Sequence, residues 1–342
     1  MATPRAAAEL TPEDALRLNV LLAGGVDAVR IDESARVLHA LTTRGEAKVA
    51  LHPAGRSDRY FSAVRELLGG HALGSPGGYP VHLRRWTRMG QASPQRLAAL
   101  LKLGDPEAVT AVAHAPNLTD ELARRAWWAL PTIEVARGML LNPEVARSDT
   151  GHELSAFLVE HLPFEADPIE AMHSVRAVIG AGRLDAESRR QLWAKGKRRP
   201  HYLIGFLESA ADDLPEPASP RALPPNVDGP WGDAIAREFS AMGQAWARGM
   251  QLALDKPPAH EAVYLLIGLI RQRFCGLREL APPPALAAAL PAEVEALRAL
   301  AAIDDKEATA ILVTTTAVGP LLRRKLAPVL DPLLGHLRRL AP

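Results

Sequence analysis

The chain has 342 residues, which is too long for one ordinary hydrophobic core, and this length predicts two or three domains. Forty Lys and Arg residues oppose 39 Asp and Glu residues, so the net charge of +1 excludes a global electrostatic attraction to nucleic acids or anionic membranes. Apolar residues make up 48% of the chain and aromatic residues only 5%, which favours packed helices over a β-sandwich.

The first section, residues 1–92, predicts a small α+β domain. Thr11 and Pro12 are typical of a helix start, because a threonine side chain caps the first turn and proline fits within it. This helix should end at the pair Gly24-Gly25. Three short β-like runs follow at 28–32, 37–41 and 46–51, then a helix at 59–68 and a fourth strand at 81–86. Together these elements predict a small α+β domain with a meander sheet.

The second section, residues 93–211, predicts short helices separated by proline, glycine and Asp-Pro breakers. Helix starts are expected near Ser93, Asp105, Thr119, Pro131, Gly151, Asp167 and Asp185. Each helix has an apolar stripe too narrow to be stable alone, and short helix pairs of this kind are typical of a HEAT/armadillo-like α-solenoid. The repeat period is irregular, so a compact orthogonal helical bundle is the alternative.

Residues 212–230 are rich in proline and nearly free of apolar side chains, which predicts an extended, exposed linker. The last section, residues 231–342, predicts a C-terminal helical bundle. Its expected helices cover 231–254, 258–277, 292–302, 306–318 and 321–339. Pro328 should kink or split the last of them.

The cellular compartment follows from two further features. The single cysteine, Cys275, excludes an intramolecular disulfide and fits a reducing environment. The N-terminus lacks the apolar run of a signal peptide, and the longest apolar run, 262–270, is far shorter than the roughly 20 residues that cross a bilayer. We therefore expect a cytoplasmic protein that does not insert into membranes.

Motifs for catalysis, metals and nucleotides are incomplete. His152-Glu153 begins like a zinc-protease HExxH helix but lacks the second histidine, and Glu170 with His173 supplies only one of the two units of a di-iron bundle. No GxSxG, P-loop or GxGxxG sequence occurs. We expect no catalytic residues, no metal and no cofactor.

Cys275 leaves one alternative open. Arg271, Arg273 and Arg278 lie nearby in the sequence, and such cations favour a reactive thiolate when the cysteine is exposed. A buried thiol is the simpler interpretation, because cysteine is among the most buried residue types.

Three basic stretches are candidate partner or anion sites. Arg84, Arg85 and Arg88 surround Trp86, although a solvated strand edge explains them as well. Arg124 precedes the pair Trp127-Trp128, in which one tryptophan is expected to pack inside and Trp128 is a candidate surface residue under an arginine.

The third stretch, from Arg189 to Tyr202, is the best defined and is named the basic stretch below. It carries six positive charges, which are Arg189, Arg190, Lys195, Lys197, Arg198 and Arg199. Its aromatic residues Trp193 and Tyr202, with Phe206 just beyond, are interleaved with these charges, as in sites that bind RNA, DNA or acidic proteins. The alternative is a solvated helix end, where cations complement the helix dipole.

Several long segments resemble one known family. They are 11–22, 69–90, 118–130, 161–165 and 303–310, including Gly69-Gly-His-Ala-Leu-Gly and Leu118-Thr-Asp-Glu-Leu. They are similar to the DsrS family, the sulfur reduction proteins of sulfur-oxidising bacteria that run dissimilatory sulfite reductase in reverse. The resemblance implies a cytoplasmic accessory or regulatory protein without established catalytic residues.

These observations lead to three hypotheses. The first is a non-enzymatic accessory protein of dissimilatory sulfur oxidation that binds a protein of that system, or an RNA, on a helical scaffold. The second is a single-cysteine persulfide carrier acting through Cys275. The third is a regulator that binds nucleic acid through the basic stretch.

Overall fold

The computed structural model describes residues 10–53, 55–74, 93–224 and 228–342. Over these residues the chain is mainly helical with one small sheet near the N-terminus, so the predicted fold class is confirmed at this level. It divides into two compact units, Met1–Leu158 and Val159–Pro342. The division falls inside the section 93–211, so the four predicted sections do not coincide with the two units.

The first unit begins with the helix and meander that the sequence predicts. Its elements are α1 (Pro12–Ala23), β1 (Val26–Asp32), β2 (Val37–Thr42), β3 (Gly45–Ala50) and α2 (Ser57–Leu73). The strands pair antiparallel in the order β1-β2-β3. Thr11 caps α1 as expected, because its Oγ1 accepts a hydrogen bond from the Asp14 N–H at 3.1 Å. The predicted fourth strand, 81–86, lies outside the described residues.

Six short helices follow in the part of this unit that the structure describes. They are α3 (Pro94–Leu100), α4 (Pro106–Ala113), α5 (Asp120–Ala129), α6 (Ile133–Leu140), α7 (Pro143–Arg147) and α8 (Asp149–His161), which extends past the unit boundary. Asp105, Thr119, Thr132 and Asn142 cap four of them through side-chain oxygens that accept backbone N–H groups. The sequence predicts most of these helix starts because capping is local chemistry.

The second unit is helical in all its regular elements among the described residues. They are α9 (Pro168–Ala181), α10 (Ala186–Gly196), α11 (Pro200–Ser209), α12 (Gly229–Phe239), α13 (Ala241–Asp255), α14 (His260–Phe274), α15 (Pro284–Ala289), α16 (Pro291–Ala302), α17 (Lys306–Leu312), α18 (Gly319–Lys325) and α19 (Ala327–Leu340), with 3₁₀ turns at Leu162–Phe164 and Cys275–Leu277. One cluster of buried apolar side chains extends from Leu162 to Ala341.

Helices α9 and α11 pack closely because Gly205 has no side chain. A Cβ at Gly205 would lie 2.8 Å from both the backbone nitrogen of Arg176 and Cγ1 of Val175. The neighbouring Tyr202 and Phe206 of α11 are fully buried. This crossing fixes the position of Tyr202 in the pocket described below.

The prediction of one helix over 231–254 is wrong, because the chain breaks at Ser240. Ser240 has extended backbone (φ −63°, ψ 162°), and its Oγ accepts a hydrogen bond from the Gly243 N–H at 3.0 Å to start α13. A Cβ at Gly243 would overlap the carbonyl oxygen of Arg237, so the tight junction depends on that glycine. The predicted split at Pro328 is confirmed, since α18 ends at Lys325 and α19 begins at Ala327.

The proline-rich segment, defined here as residues 212–224, has no regular secondary structure, as its composition predicts. It is nevertheless not a free linker, because Leu214 is buried in the core of the second unit. The Arg221 N–H donates to the carbonyl of Phe239 at 2.8 Å, and the Arg221 guanidinium lies 4.1 Å from the Phe239 ring centroid. The predicted extended, exposed linker therefore corresponds to a docked part of one unit.

A buried ion pair stabilises the middle of the second unit. The Glu238 side chain is fully buried and its Oε1 accepts hydrogen bonds from Nε of Arg273 at 2.8 Å and Nε of Arg237 at 3.0 Å. The Arg273 guanidinium also lies 4.4 Å from the ring centroid of Trp246. The buried Glu238 carboxylate requires such cationic partners, because a buried charge without a partner is strongly destabilising.

A helix that crosses a bilayer must be both long and apolar. Of the helices that the structure describes, none is both long enough and apolar enough to cross a bilayer.

Candidate functional site

The candidate site lies where α10 ends and α11 begins, within the basic stretch. Asp185 starts α10, because its Oδ1 accepts the N–H groups of Glu187 and Ser188, each at 2.9 Å. The helix ends at Gly196, and Pro200 begins α11. Cations near this end complement the negative end of the α10 dipole, and this accounts for part of the positive charge in the basic stretch.

Three of the six cations of the basic stretch are neutralised by carboxylates of the same unit. Arg189 pairs with Asp213 at 2.7 Å, Arg190 with Glu187 at 2.6 Å and Lys197 with Glu216 at 2.6 Å. Two of these carboxylates, Asp213 and Glu216, belong to the proline-rich segment and follow the basic stretch in the sequence. These three cations therefore already have an opposing charge.

The other three cations, Lys195, Arg198 and Arg199, line one open pocket of about 560 Å³. Within the described part of the chain, none of them has a carboxylate partner. The rest of the lining is mostly apolar and consists of Leu162, Pro163, Leu192, Ala194 and Tyr202, with Gln191 at one side. This basic pocket is a concave, largely apolar surface with three unpaired positive charges.

Arg199 is held at the pocket by Tyr202. Its Nη1 donates a hydrogen bond to the Tyr202 hydroxyl oxygen at 3.0 Å, and its guanidinium carbon lies 5.7 Å from the ring centroid. The Tyr202 hydroxyl in turn donates to the carbonyl of Leu162 at 3.3 Å. These contacts fix the Arg199 side chain and so reduce the entropy lost when an anion binds it.

His201 adds no further charge to this region near neutral pH. Burial lowers the pKa of its imidazole, and the charge of Arg199 lowers it further, to about 4. The ring packs edge-on against Tyr202 at 4.8 Å between centroids. His201 is therefore a neutral packing residue beside the pocket at pH 7.

The aromatic residues of the basic stretch do not form a stacking surface. Trp193, Tyr202 and Phe206 are 5%, 1% and 0% exposed, and the rings of Trp193 and Phe206 pack edge-to-face at 5.3 Å. The interleaved aromatics are core residues, so the stacking part of the nucleic-acid hypothesis is wrong. An aromatic residue that the sequence reasoning missed, Phe164, is 79% exposed and follows the pocket residue Pro163.

The second candidate pair, Arg124 and Trp128, belongs to the first unit. Arg124 lies 3.6 Å from Asp120, and the arginine that covers the Trp128 ring is Arg30 of β1, at 5.2 Å from the centroid. Trp127 packs on Phe157 with ring centroids 4.7 Å apart. These contacts are explained by packing. The third set, Arg84, Arg85 and Arg88, lies outside the described residues.

Cys275 is exposed, so the expectation of a buried thiol is wrong. Its Sγ lies 3.5 Å from the carbonyl oxygen of Gln272, in the 3₁₀ turn after α14. The nearby Arg273 is directed to Glu238 and Trp246 rather than left free. Among the residues that the structure describes, no three His, Cys, Asp or Glu side chains are grouped to hold a metal ion.

Comparison with known proteins assigns no family or function to the chain. No protein-family model, no curated protein and no solved structure matches the chain. The resemblance to the DsrS family therefore stays a prediction from the sequence.

Proposed function

We propose that this protein is a non-enzymatic accessory or regulatory protein that acts by binding a protein partner through the basic pocket. The observation that carries the proposal is the set of three unpaired cations, Lys195, Arg198 and Arg199, around an apolar surface. Cations in such a position attract and orient an anionic partner, while the apolar surface supplies contact area. The sequence resemblance suggests that the partner belongs to dissimilatory sulfur oxidation in the cytoplasm.

The composition of the pocket favours binding over catalysis. Its described lining contains no histidine, cysteine, serine or carboxylate, and its one lysine, Lys195, is exposed rather than desolvated as a catalytic lysine usually is. The Tyr202 hydroxyl is engaged with Arg199 and with a backbone carbonyl. Presentation of the pocket by a helical scaffold, of HEAT or armadillo type in this proposal, fits a protein that holds a partner in place.

Affinity capture from sulfur-oxidising cells tests the proposal. The full chain is compared with a triple variant, Lys195→Gln, Arg198→Gln and Arg199→Gln, and captured proteins and RNA are both quantified. The matched control removes three exposed arginines that do not line the pocket, by Arg298→Gln, Arg324→Gln and Arg338→Gln.

We expect proteins of the sulfur-oxidation system to be enriched by the wild-type chain and the control. The triple variant should recover them at least about 10-fold less, because three ion pairs are lost. Equal recovery by the triple variant, or recovery of RNA in place of these proteins, would contradict the proposal. Circular dichroism of each variant shows whether the fold is retained.

A second candidate function is a persulfide carrier, which the exposure of Cys275 favours. The test is incubation of the purified chain with a low-molecular-weight persulfide, which transfers its outer sulfur to the Cys275 thiol and leaves as a thiol; the product is measured by intact-mass spectrometry. A persulfide carried at Cys275 adds one sulfur atom and is absent in Cys275→Ser. Failure of the wild-type chain to gain this mass rejects the carrier function.

A further inference from the structure

We infer that the ligand of the basic pocket is an acidic peptide segment with an apolar side chain between its carboxylates. This inference rests on the proposed function and names the chemistry of the partner at that site. Nucleic acid and small inorganic anions are the competing ligands, and the observations below favour the peptide.

The chain itself shows how this face binds an acidic peptide. Residues 212–216 have the sequence Asp-Asp-Leu-Pro-Glu and belong to the proline-rich segment. Asp213 binds Arg189 at 2.7 Å and Glu216 binds Lys197 at 2.6 Å, while Leu214 between them is only 3% exposed. An acidic pentapeptide with a buried leucine therefore already binds two of the six cations of the basic stretch.

The remaining cations repeat the same chemistry beside this segment. Lys195 and Arg198 flank Lys197 closely in sequence, and with Arg199 they surround apolar side chains such as Leu162 and Leu192. Carboxylates fit the cations, and an apolar side chain fits the surface between them. The exposed ring of Phe164 adds apolar area next to Pro163 at the pocket.

Nucleic acid fits these observations less well. The aromatic side chains of the basic stretch are buried and cannot stack on bases. Only three of its six cations are unpaired, and few unpaired cations give little of the phosphate neutralisation on which non-specific nucleic-acid binding depends. A small anion such as phosphate would leave most of a pocket of about 560 Å³ and its apolar lining unused.

The test is fluorescence anisotropy with a labelled peptide, Ala-Asp-Asp-Leu-Pro-Glu-Pro-Ala, which copies residues 211–218. Two control peptides replace the acidic residues by Asn and Gln, or the leucine by Gly. The protein is the full chain, its triple Gln variant at Lys195, Arg198 and Arg199, and the control variant at Arg298, Arg324 and Arg338. The docked segment of the chain should not be displaced by the free peptide, because an intramolecular ligand acts at about millimolar effective concentration.

We expect saturable binding of the acidic peptide to the wild-type chain and to the control variant. The triple variant and the uncharged peptide should each bind at least about 10-fold more weakly, and the glycine peptide about 5-fold more weakly. Binding should also weaken as salt increases.

Equal affinity of the acidic and uncharged peptides, or of the wild-type chain and the triple variant, would overturn the inference. Tighter binding of a uridine-rich RNA oligonucleotide at the same cations, or complete displacement of the peptide by an equal concentration of inorganic phosphate, would overturn it too. If the peptide fails while capture from cells still depends on the three cations, only this inference is wrong. If both experiments fail, the proposed function is wrong as well.

Discussion

Replacement of Arg221 by alanine tests whether the proline-rich segment is an integral part of the second unit. The Arg221 guanidinium donates from Nη1 to the carbonyls of Arg339 at 2.9 Å and Leu340 at 3.0 Å. Its Nη2 binds Glu293 at 2.5 Å, and the group lies over the Phe239 ring. The two carbonyls are in the last turn of α19, where backbone acceptors lack partners within the helix and cations are stabilising.

The magnitude follows from these contacts. A hydrogen bond from a charged donor contributes about 1.5–3 kcal/mol, and a cation on an aromatic ring about 1 kcal/mol. The Arg221 side chain is 27% exposed, so water replaces part of what is lost. We expect Arg221→Ala to lower the free energy of unfolding by about 2–3 kcal/mol, which is a shift in Tm of about 5–10 °C for a unit of this size.

Hydrogen exchange measured by mass spectrometry is the suitable assay, because it reports on the second unit separately. Arg221→Ala should accelerate exchange at 212–224 and at the C-terminal turn of α19. Arg221→Lys keeps the charge but loses the planar fork and should be intermediate. Arg324→Ala, at an exposed position, should change stability by less than about 0.5 kcal/mol. Equal effects of Arg221→Ala and Arg324→Ala, or a freely exchanging Arg221 amide in the wild-type chain, would refute the reasoning.

Three further predictions concern the second unit and are measured by urea denaturation. Glu238→Gln and Arg273→Met should each lower the free energy of unfolding by about 3 kcal/mol, and the double variant should lower it by about 1–2 kcal/mol less than the sum. Additive losses would contradict a coupled buried pair. His201 has a pKa lowered to about 4, so the stability that its neutral form contributes is present above about pH 6.5 and is lost as the pH falls towards 4. His201→Gln should flatten the dependence of the free energy of unfolding on pH in this range. An unchanged dependence would contradict the prediction. Gly205→Ala should cost about 2–3 kcal/mol because its Cβ would overlap Val175, and wild-type stability of this variant would show that α9 and α11 are not so closely packed.

The sequence predicts those features of the fold that depend on local chemistry. Thr11, Asp105 and Thr119 start helices through hydrogen bonds to residues two or three positions away, and such signals are visible without the fold. The sequence does not predict the break at Ser240, because apolar residues recur on both sides of it and serine also occurs inside helices. The close approach of Gly243 to Arg237 separates α12 from α13. This contact between two helices is not visible in the sequence.

The proline-rich segment shows why composition alone was misleading. Its many prolines prevent regular structure, and the extended conformation follows from that. Whether an extended segment is free or docked depends on distant partners, and Glu293 lies 72 residues beyond Arg221. The buried Leu214 is a single apolar residue among polar and proline residues, a signal too weak to predict docking from the sequence.

The candidate site was predictable in position but not in its composition. The six cations of the basic stretch are obvious in the sequence, and no acidic residue lies among them. Asp213 and Glu216 neutralise Arg189 and Lys197 from more than 18 residues away. The aromatic residues appeared interleaved with the charges, yet their helical spacing turns them into the core.

The most direct test of the central claim is chemical-shift mapping of the isotope-labelled full chain with the acidic peptide copied from residues 211–218. The claim is that Lys195, Arg198 and Arg199 form one binding surface with the apolar lining of the pocket. We expect the largest shifts at 162–164 and 191–202, decreasing with added salt. Shifts confined to other parts of the chain, with none at these residues under saturating peptide, would contradict the claim.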